Sequence, residues 1–385
     1  VDRVSPSLAL TDRGLFCPKG DFAVDPVRPV ETAVITHAHS DHARPGSANY
    51  ICAHECLPIL RARLGPAASI RAVPWREPVQ LGATRVSFHP AAHVRGSAQI
   101  RIESRDEVAV VTGDFKREPD PTTEPFESVP CDTLVTESTF AMPIYRWRPT
   151  HDTITDIAHW WHAAAERGVP AVLFCYALGK SQRVLAELAA LASRDPRFAW
   201  IATHERPILI HGAVAPLVDA YEAAGVALAP THRVSDVAPS SRRITDAAPD
   251  LPGVARVHPT APAGALVIAP PSAAGTPWMR RFGTDPATAF ASGWMHVRGM
   301  RRRRGFDRGF VLSDHADWPG LIATVHQSRA SRVLITHGYA DILARFLREQ
   351  GVDAHSLAHA FVGQFGENEH GDQPAAESPI TPEDA

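Results

Sequence analysis

The sequence predicts an α/β protein in which one domain is interrupted by a second, smaller α/β unit. Three observations carry that expectation. Short apolar runs ending on His, Asp or Glu occur near residues 35, 111 and 135 and again near 311 and 335, so both ends of the chain share one style. Between them, from Pro143 onward, strand and helix patterns alternate as in a small parallel unit. The 385 residues, 44% of them hydrophobic, suffice for two cores.

Taken in order, Leu15 to Asp25 reads as two short strands, and Pro26 and Pro29 turn the chain into Ala33-Val34-Ile35-Thr36. Strands are expected at Asn49 to Cys52 and Ile70 to Val73, flanking a helix over Leu57 to Leu64. Arg85-Val86-Ser87-Phe88 alternates like a half-buried strand and leads to His93. A hairpin follows over Ala98 to Ile102 and Val108 to Thr112, then a buried strand at Thr133 to Thr136.

Helices are expected over Asp152 to Gly168, Ser181 to Ser193 and Pro216 to Ala224. The strands between them fall at Ala171 to Phe174, Ala199 to Ala202 and Ile208 to Ile210. Val234 to Ala263, rich in Ala, Pro, Ser and Arg, reads as a mobile connection before the strand Ala265 to Ala269. From Phe310 the first style resumes. A strand over Phe310 to Leu312 precedes a helix capped by Asp317, with Pro319 in its first turn, and a strand over Arg332 to Thr336 precedes a helix over Ala340 to Gln350. The expected division is 1–140 and 308–362 for the outer domain, 141–307 for the insertion, and 363–385 for a disordered acidic tail.

Composition narrows the function. No run approaches the roughly 18 apolar residues of a membrane span, and the N-terminus lacks a basic-then-apolar signal. A soluble, cytoplasmic protein without a membrane partner is expected. Five scattered cysteines argue against a disulfide framework. Net charge is −3, yet eight arginines and two acids lie between Arg280 and Arg308. Arg301 and Arg302, in the consecutive run Arg301 to Arg304, are candidate contacts to a phosphate backbone.

The chemistry concentrates in His37-Ala38-His39-Ser40-Asp41-His42, four potential metal ligands within six residues. Imidazole with carboxylate is a ligand set that suits zinc. The recurring arrangement of a strand followed by a ligand adds Asp114, Glu137, His315 and His337, with His93 from a turn. Strand carboxyl ends are where ligands collect in open α/β sheets, so these positions are expected on one rim. His37, His39 and His93 could hold one ion and Asp41, His42 and His337 a second, with Asp114 bridging. Two divalent ions about 3.5–4 Å apart can share a hydroxide that is nucleophilic at neutral pH. Glu137 and His315, joined by Asp41 in the catalytic set, are then available for proton traffic.

The pattern His-x-His-x-Asp-His, then His93 and Asp114, resembles the metallo-β-lactamase fold. Glu137, Ser313-Asp314-His315-Ala316-Asp317 and Ile335-Thr336-His337-Gly338 resemble the additional motifs of its β-CASP nuclease branch. Within that branch Gly20-Asp21-Phe22, His93-Val94-Arg95-Gly96-Ser97, Tyr176-Ala177-Leu178-Gly179-Lys180 and Ser292-Gly293-Trp294-Met295 resemble the bacterial ligase-associated DNA exonucleases (SNM1/Pso2-like). The resemblance implies an αββα sandwich interrupted by a β-CASP unit, and a two-zinc phosphodiesterase, with Mn2+ or another divalent ion as an alternative. It implies DNA as substrate, work beside an ATP-dependent DNA ligase, and RNA as the alternative substrate. It also implies that Asp25 props the metal loop and that Lys180 lies near a terminal phosphate, with Ser97 and Trp294 as further substrate contacts. His337 departs from the DNA-acting eukaryotic relatives, which carry valine there.

Overall fold

The structure, a computed structural model, describes residues 2–203, 205–234, 262–297 and 305–357. Twenty strands among them form three sheets. In the first, β1 (Asp2–Arg3), β2 (Ala9–Thr11), β3 (Gly14–Cys17) and β4 (Phe22–Val24) run antiparallel. The sheet continues in parallel through β5 (Thr32–Val34), β6 (Asn49–Ala53) and β7 (Ile70–Val73), and helix α1 (Leu57–Leu64) links the last two.

The second sheet starts antiparallel through β8 (Val79–Leu81), β9 (Thr84–Pro90), β10 (Ala98–Glu103) and β11 (Val108–Val111). It continues in parallel through β12 (Thr133–Thr136), β19 (Arg332–Ile335) and β20 (Asp353–Ser356). Alternation sets its two faces. Val111, Val135 and Leu334 turn toward the first sheet and join its core. Val110, Leu134, Val333 and Ile335 turn outward into a second core, against helices at Trp318–Ser328 and Ala340–Glu349. Strands apolar on both faces are what a sheet covered on both sides requires.

β12 and β19 are neighbours in register, Thr133 opposite Arg332, although the whole third sheet lies between them in the chain. That sheet is parallel throughout, in the order β15 (Thr231–Arg233), β14 (Ile208–Ile210), β16 (Leu266–Ala269), β13 (Ala171–Phe174), β17 (Ala287–Ala291) and β18 (Arg308–Phe310). Helices α2 (Thr150–Glu166), α3 (Lys180–Arg194) and α4 (Ala215–Ala223) accompany it. Ala171 and Leu173 face the core shared with α2 and α3, while Val172 and Phe174 face an aromatic core with Phe140, Phe290 and Trp294. The helices after β18 and β19 are α5 (Trp318–Ser328) and α6 (Ala340–Glu349). Asp317 caps α5 by accepting from the Gly320 N–H at 2.9 Å.

Two expectations are corrected. Ala199 to Ala202 is no strand: Asp195 caps a short 3-10 turn at Pro196–Phe198, and Ala199 takes helical angles. The last strand of the third sheet is Arg308–Phe310, not Phe310 to Leu312, so that sheet extends past residue 307. β17 and β20 were not expected, and their sequences, ATAFA and DAHS, lack a clear apolar alternation. The mobile connection and the acidic tail fall almost wholly outside the described residues. No helix among the described residues is long and apolar enough to cross a membrane.

Candidate metal centre

The carboxyl ends of β5, β11, β12 and β19 meet at one edge of the paired sheets, and the turn after β9 closes on them. From these ends come His37, Asp114, Glu137, His337 and His93. Close approach has local requirements. Gly113 lies beside Thr36, where a Cβ would sit 2.6 Å from the threonine side chain, so only glycine lets β11 deliver Asp114 next to His37. Asp25 (φ 44°) and Ala92 (φ 60°) hold left-handed conformations that cost about 1 kcal/mol each. Both flank the centre, a common place for stored backbone strain.

Three imidazoles aim lone pairs at one point. His37 Nε2 and His93 Nε2 lie 3.0 and 3.1 Å from His39 Nδ1. The opposite nitrogen of each ring identifies the tautomer. His93 Nδ1 donates to the Asp314 carbonyl at 2.7 Å, and His39 Nε2 donates to the Leu178 carbonyl at 3.4 Å. The Thr36 hydroxyl donates to Asp25 at 2.5 Å, leaving its oxygen to accept from His37 Nδ1 at 3.0 Å. All three nitrogens that face one another are therefore unprotonated acceptors. Burial holds His37 and His93 well below the usual imidazole range, and His39 below it. Asp114 Oδ2 is 3.7 Å from both His37 Nε2 and His93 Nε2. A cluster of mutually facing lone pairs beside a carboxylate suits a cation, and these four residues form a group able to hold a metal ion.

A carboxylate-rich half adjoins it. His42 Nε2 is 3.6 Å from Asp41 Oδ2 and 3.5 Å from Asp114 Oδ2, while His337 Nε2 is 3.2 Å from Asp114 Oδ1. His42 Nδ1 is held by Asp25 Oδ2 at 2.8 Å. Burial alone would depress His42, but Asp41, Asp114 and Asp25 raise it well above the usual range. Asp114 shows the converse: burial would raise it, and His42 and His337 bring it well below the usual carboxylate range.

Glu137 and His315 form a pair beside both halves. His315 Nδ1 is 2.9 Å from Glu137 Oε2, and Glu137 Oε1 also accepts from the Phe115 N–H at 2.8 Å. The His315 ring centre lies 4.6 Å from that of His93. A cavity of about 360 Å³ opens over this arrangement, lined by His39, Asp114 and His315 on one wall and by Tyr176, Lys180 and Pro271 of the third-sheet unit on the other.

The proposed substrate contacts divide. Lys180 reaches the cavity but is buried, its Nζ 3.3 Å from Asp314 Oδ2 and 4.8 Å above the Tyr176 ring. Ser97 shapes the turn that carries His93: its oxygen accepts from the His93 and Val94 N–H groups at 2.9 and 3.2 Å. Trp294 faces inward. It is 4% exposed and packs against Phe140, ring centres 4.7 Å apart, leaving no open face for a base. Arg301 and Arg302 lie outside the described residues. Two contacts at the cavity escaped the sequence reading. Arg63 on α1 donates to the Ala38 carbonyl inside the metal loop. Leu178 contributes a main-chain carbonyl, which no residue pattern advertises.

Comparison with known proteins agrees with this geometry. Residues 6–184 match a family model described as a beta-lactamase superfamily domain. The chain is 32% identical over 347 residues to a protein from Opitutus terrae named "Probable DNA ligase". That match covers 89% of this chain but 30% of the relative. A second match, 28% identical over 148 residues, is to "Cleavage and polyadenylation specificity factor subunit 3" of Dictyostelium discoideum, and covers 38% of this chain and 18% of that protein. The chain thus spans less than a third of the length of either relative. The crystal structure of a protein of unknown function from Enterococcus faecalis V583 aligns over 79% of this chain and 74% of its own, at 11% identity and a TM-score of 0.47.

Proposed function

We propose that this chain is a metal-dependent DNA exonuclease of the β-CASP kind that hydrolyses phosphodiester bonds and works beside a DNA ligase. The observation that carries the reading is the clustering of seven donors with the Glu137–His315 pair, of which His39, Asp41, His93, Asp114 and His315 line a cavity shared with the third-sheet unit. His37, His39 and His93 would hold one ion and Asp41, His42 and His337 the other, with Asp114 between them. The donor set fits, because its imidazole lone pairs already face one another and carboxylates balance the charge. Bound there, two zinc ions would supply Lewis acidity toward a phosphoryl oxygen and would lower the pKa of a water for attack at neutral pH.

The chain's own groups do the rest. Glu137 holds His315 Nδ1, which turns the other ring nitrogen toward the cavity as a proton donor for the departing oxygen. Lys180 and Arg63 give the cavity walls positive charge against a phosphodiester. The roof contributed by the third-sheet unit excludes water from the reacting linkage and strengthens these interactions.

The match to part of a protein named probable DNA ligase supports DNA and a ligase partner. The match to a cleavage and polyadenylation factor subunit favours a second reading, an RNA-processing nuclease. Matched single-stranded DNA and RNA labelled at one end, with and without a 5′ phosphate, decide between them. Stepwise shortening of DNA that stops on chelation is expected. Preferential cleavage of RNA would replace the DNA reading with the second one, and turnover of neither would end both.

A further inference from the structure

Arg183, one helical turn beyond Lys180 on α3, has a fully buried side chain. Its Nη1 donates to the Ser313 carbonyl at 2.6 Å and to Asp314 Oδ1 at 3.2 Å. Its Nη2 donates to Glu118 Oε2 at 3.0 Å and to the Thr150 hydroxyl. Asp120 Oδ2 lies 3.5 Å from its Nε. The carboxylates are shared with two more cations: Lys116 reaches Asp120 at 2.5 Å and Asp314 at 4.0 Å, and Lys180 reaches Asp314 at 3.3 Å. Three cations thus meet three carboxylates at the junction of the third-sheet unit with the paired sheets. Burying so many charges is costly unless each is met by others and by hydrogen bonds, as here.

This network grips the turn Ser313-Asp314-His315. The turn presents the Asp314 carbonyl that takes the His93 Nδ1 proton, and it carries the His315 ring that Glu137 holds. Shift the turn, and His93 loses the acceptor that fixes its tautomer while His315 loses its aim. Only a planar fork of donors can bond a main-chain carbonyl, two carboxylates and a hydroxyl at once, which a lysine ammonium cannot do.

We propose that Arg183 is a positioning residue of the metal centre: through the Ser313–His315 turn, its guanidinium sets the ring orientations of His93 and His315. The proposal rests on the reading that His93 holds a metal ion and His315 moves a proton. It places part of the metal chemistry under the control of the third-sheet unit. Groups that hold a metal-ligating histidine by its second nitrogen typically account for 10–100-fold in affinity.

The test uses the full chain and its Arg183→Lys variant, which keeps the charge but not the fork. Metal-free protein is titrated with Co2+, followed by absorption, and kcat and KM are measured on DNA as separate quantities. Arg183→Lys is expected to bind Co2+ about 10–100-fold more weakly, with an altered visible spectrum and a fall in kcat at unchanged KM. Parental affinity, spectrum and kcat in a folded Arg183→Lys would overturn the proposal. If that variant does not fold, Asp314→Asn decides, since it leaves the Asp314 carbonyl in place while removing the charge that Arg183, Lys180 and Lys116 grip. Weakened Co2+ binding is expected there, and parental binding would overturn the proposal. A parent that binds Co2+ yet cuts no nucleic acid would instead defeat the functional reading and leave the metal titration to judge Arg183.

Discussion

His37, His93 and the half-buried His39 on one side of the centre and the buried His42 on the other are all imidazoles, yet their surroundings drive them in opposite directions. The first three give their second nitrogens to neutral acceptors, the Thr36 hydroxyl and the carbonyls of Leu178 and Asp314. With burial dominant, they stay uncharged and ready to bind. His42 gives its second nitrogen to the Asp25 carboxylate and faces Asp41 and Asp114, so it keeps its proton. Without metal the first half is a preformed set of lone pairs, whereas the second is an ion cluster that must lose a proton before it can bind.

The strongest test of the comparison is to remove what joins the halves. Asp114 faces His37, His93 and His42 through one oxygen and His337 through the other. Asp114→Ala is expected to lower nuclease kcat about 10³-fold, as losing charge stabilisation in a preorganised site does. It should also reduce metal content at both halves, measured by elemental analysis. Retention of one full equivalent would show that the halves are independent.

Asp25 offers a finer probe, because it holds His42 directly and His37 only through Thr36. Asp25→Asn should weaken metal binding about 10–100-fold, mostly in the carboxylate-rich half, while Thr36→Val acts mostly on the three-histidine half, reaching His42 only through Asp25. Titration of two resolved binding steps would show the split. Equal losses at both steps in both variants would dissolve the contrast.

The smallest effect is a proton. The folded-state pKa of His42 is raised, so its proton is present at neutral pH and below and is lost only as pH rises through that raised value. Metal entering the second half must therefore expel about one proton, and its affinity should fall as pH falls. Entry into the first half should expel none, because His37, His39 and His93 are already neutral. Calorimetry in buffers of different ionisation enthalpy counts the protons for each step. Release on the first step rather than the second would reverse the assignment.

Much of this centre was legible in the sequence because His37, Asp114, Glu137, His315 and His337 each follow an apolar run, and a strand end is a place that sequence can mark. Asp25 could be singled out only through a resemblance, yet the structure places it where the two halves meet. What escaped notice depends on tertiary placement. Arg183 reads as one more polar residue of an amphipathic helix, and nothing local says that its side chain will be buried. Trp294 is a parallel case, since an aromatic next to glycine and arginine can face solvent or core, and its packing against Phe140 is set by tertiary placement. The Ala199 to Ala202 segment failed as a strand because a capped proline turn immediately precedes it.

The chain leaves the paired sheets just after Glu137 and re-enters them around His315, 178 positions later, and those two side chains touch. The neck of this long excursion is thus closed by a side-chain contact. A different roof grafted onto the same foundation would have to bring the two chain crossings back to within that hydrogen bond, so its ends are as constrained as its interior.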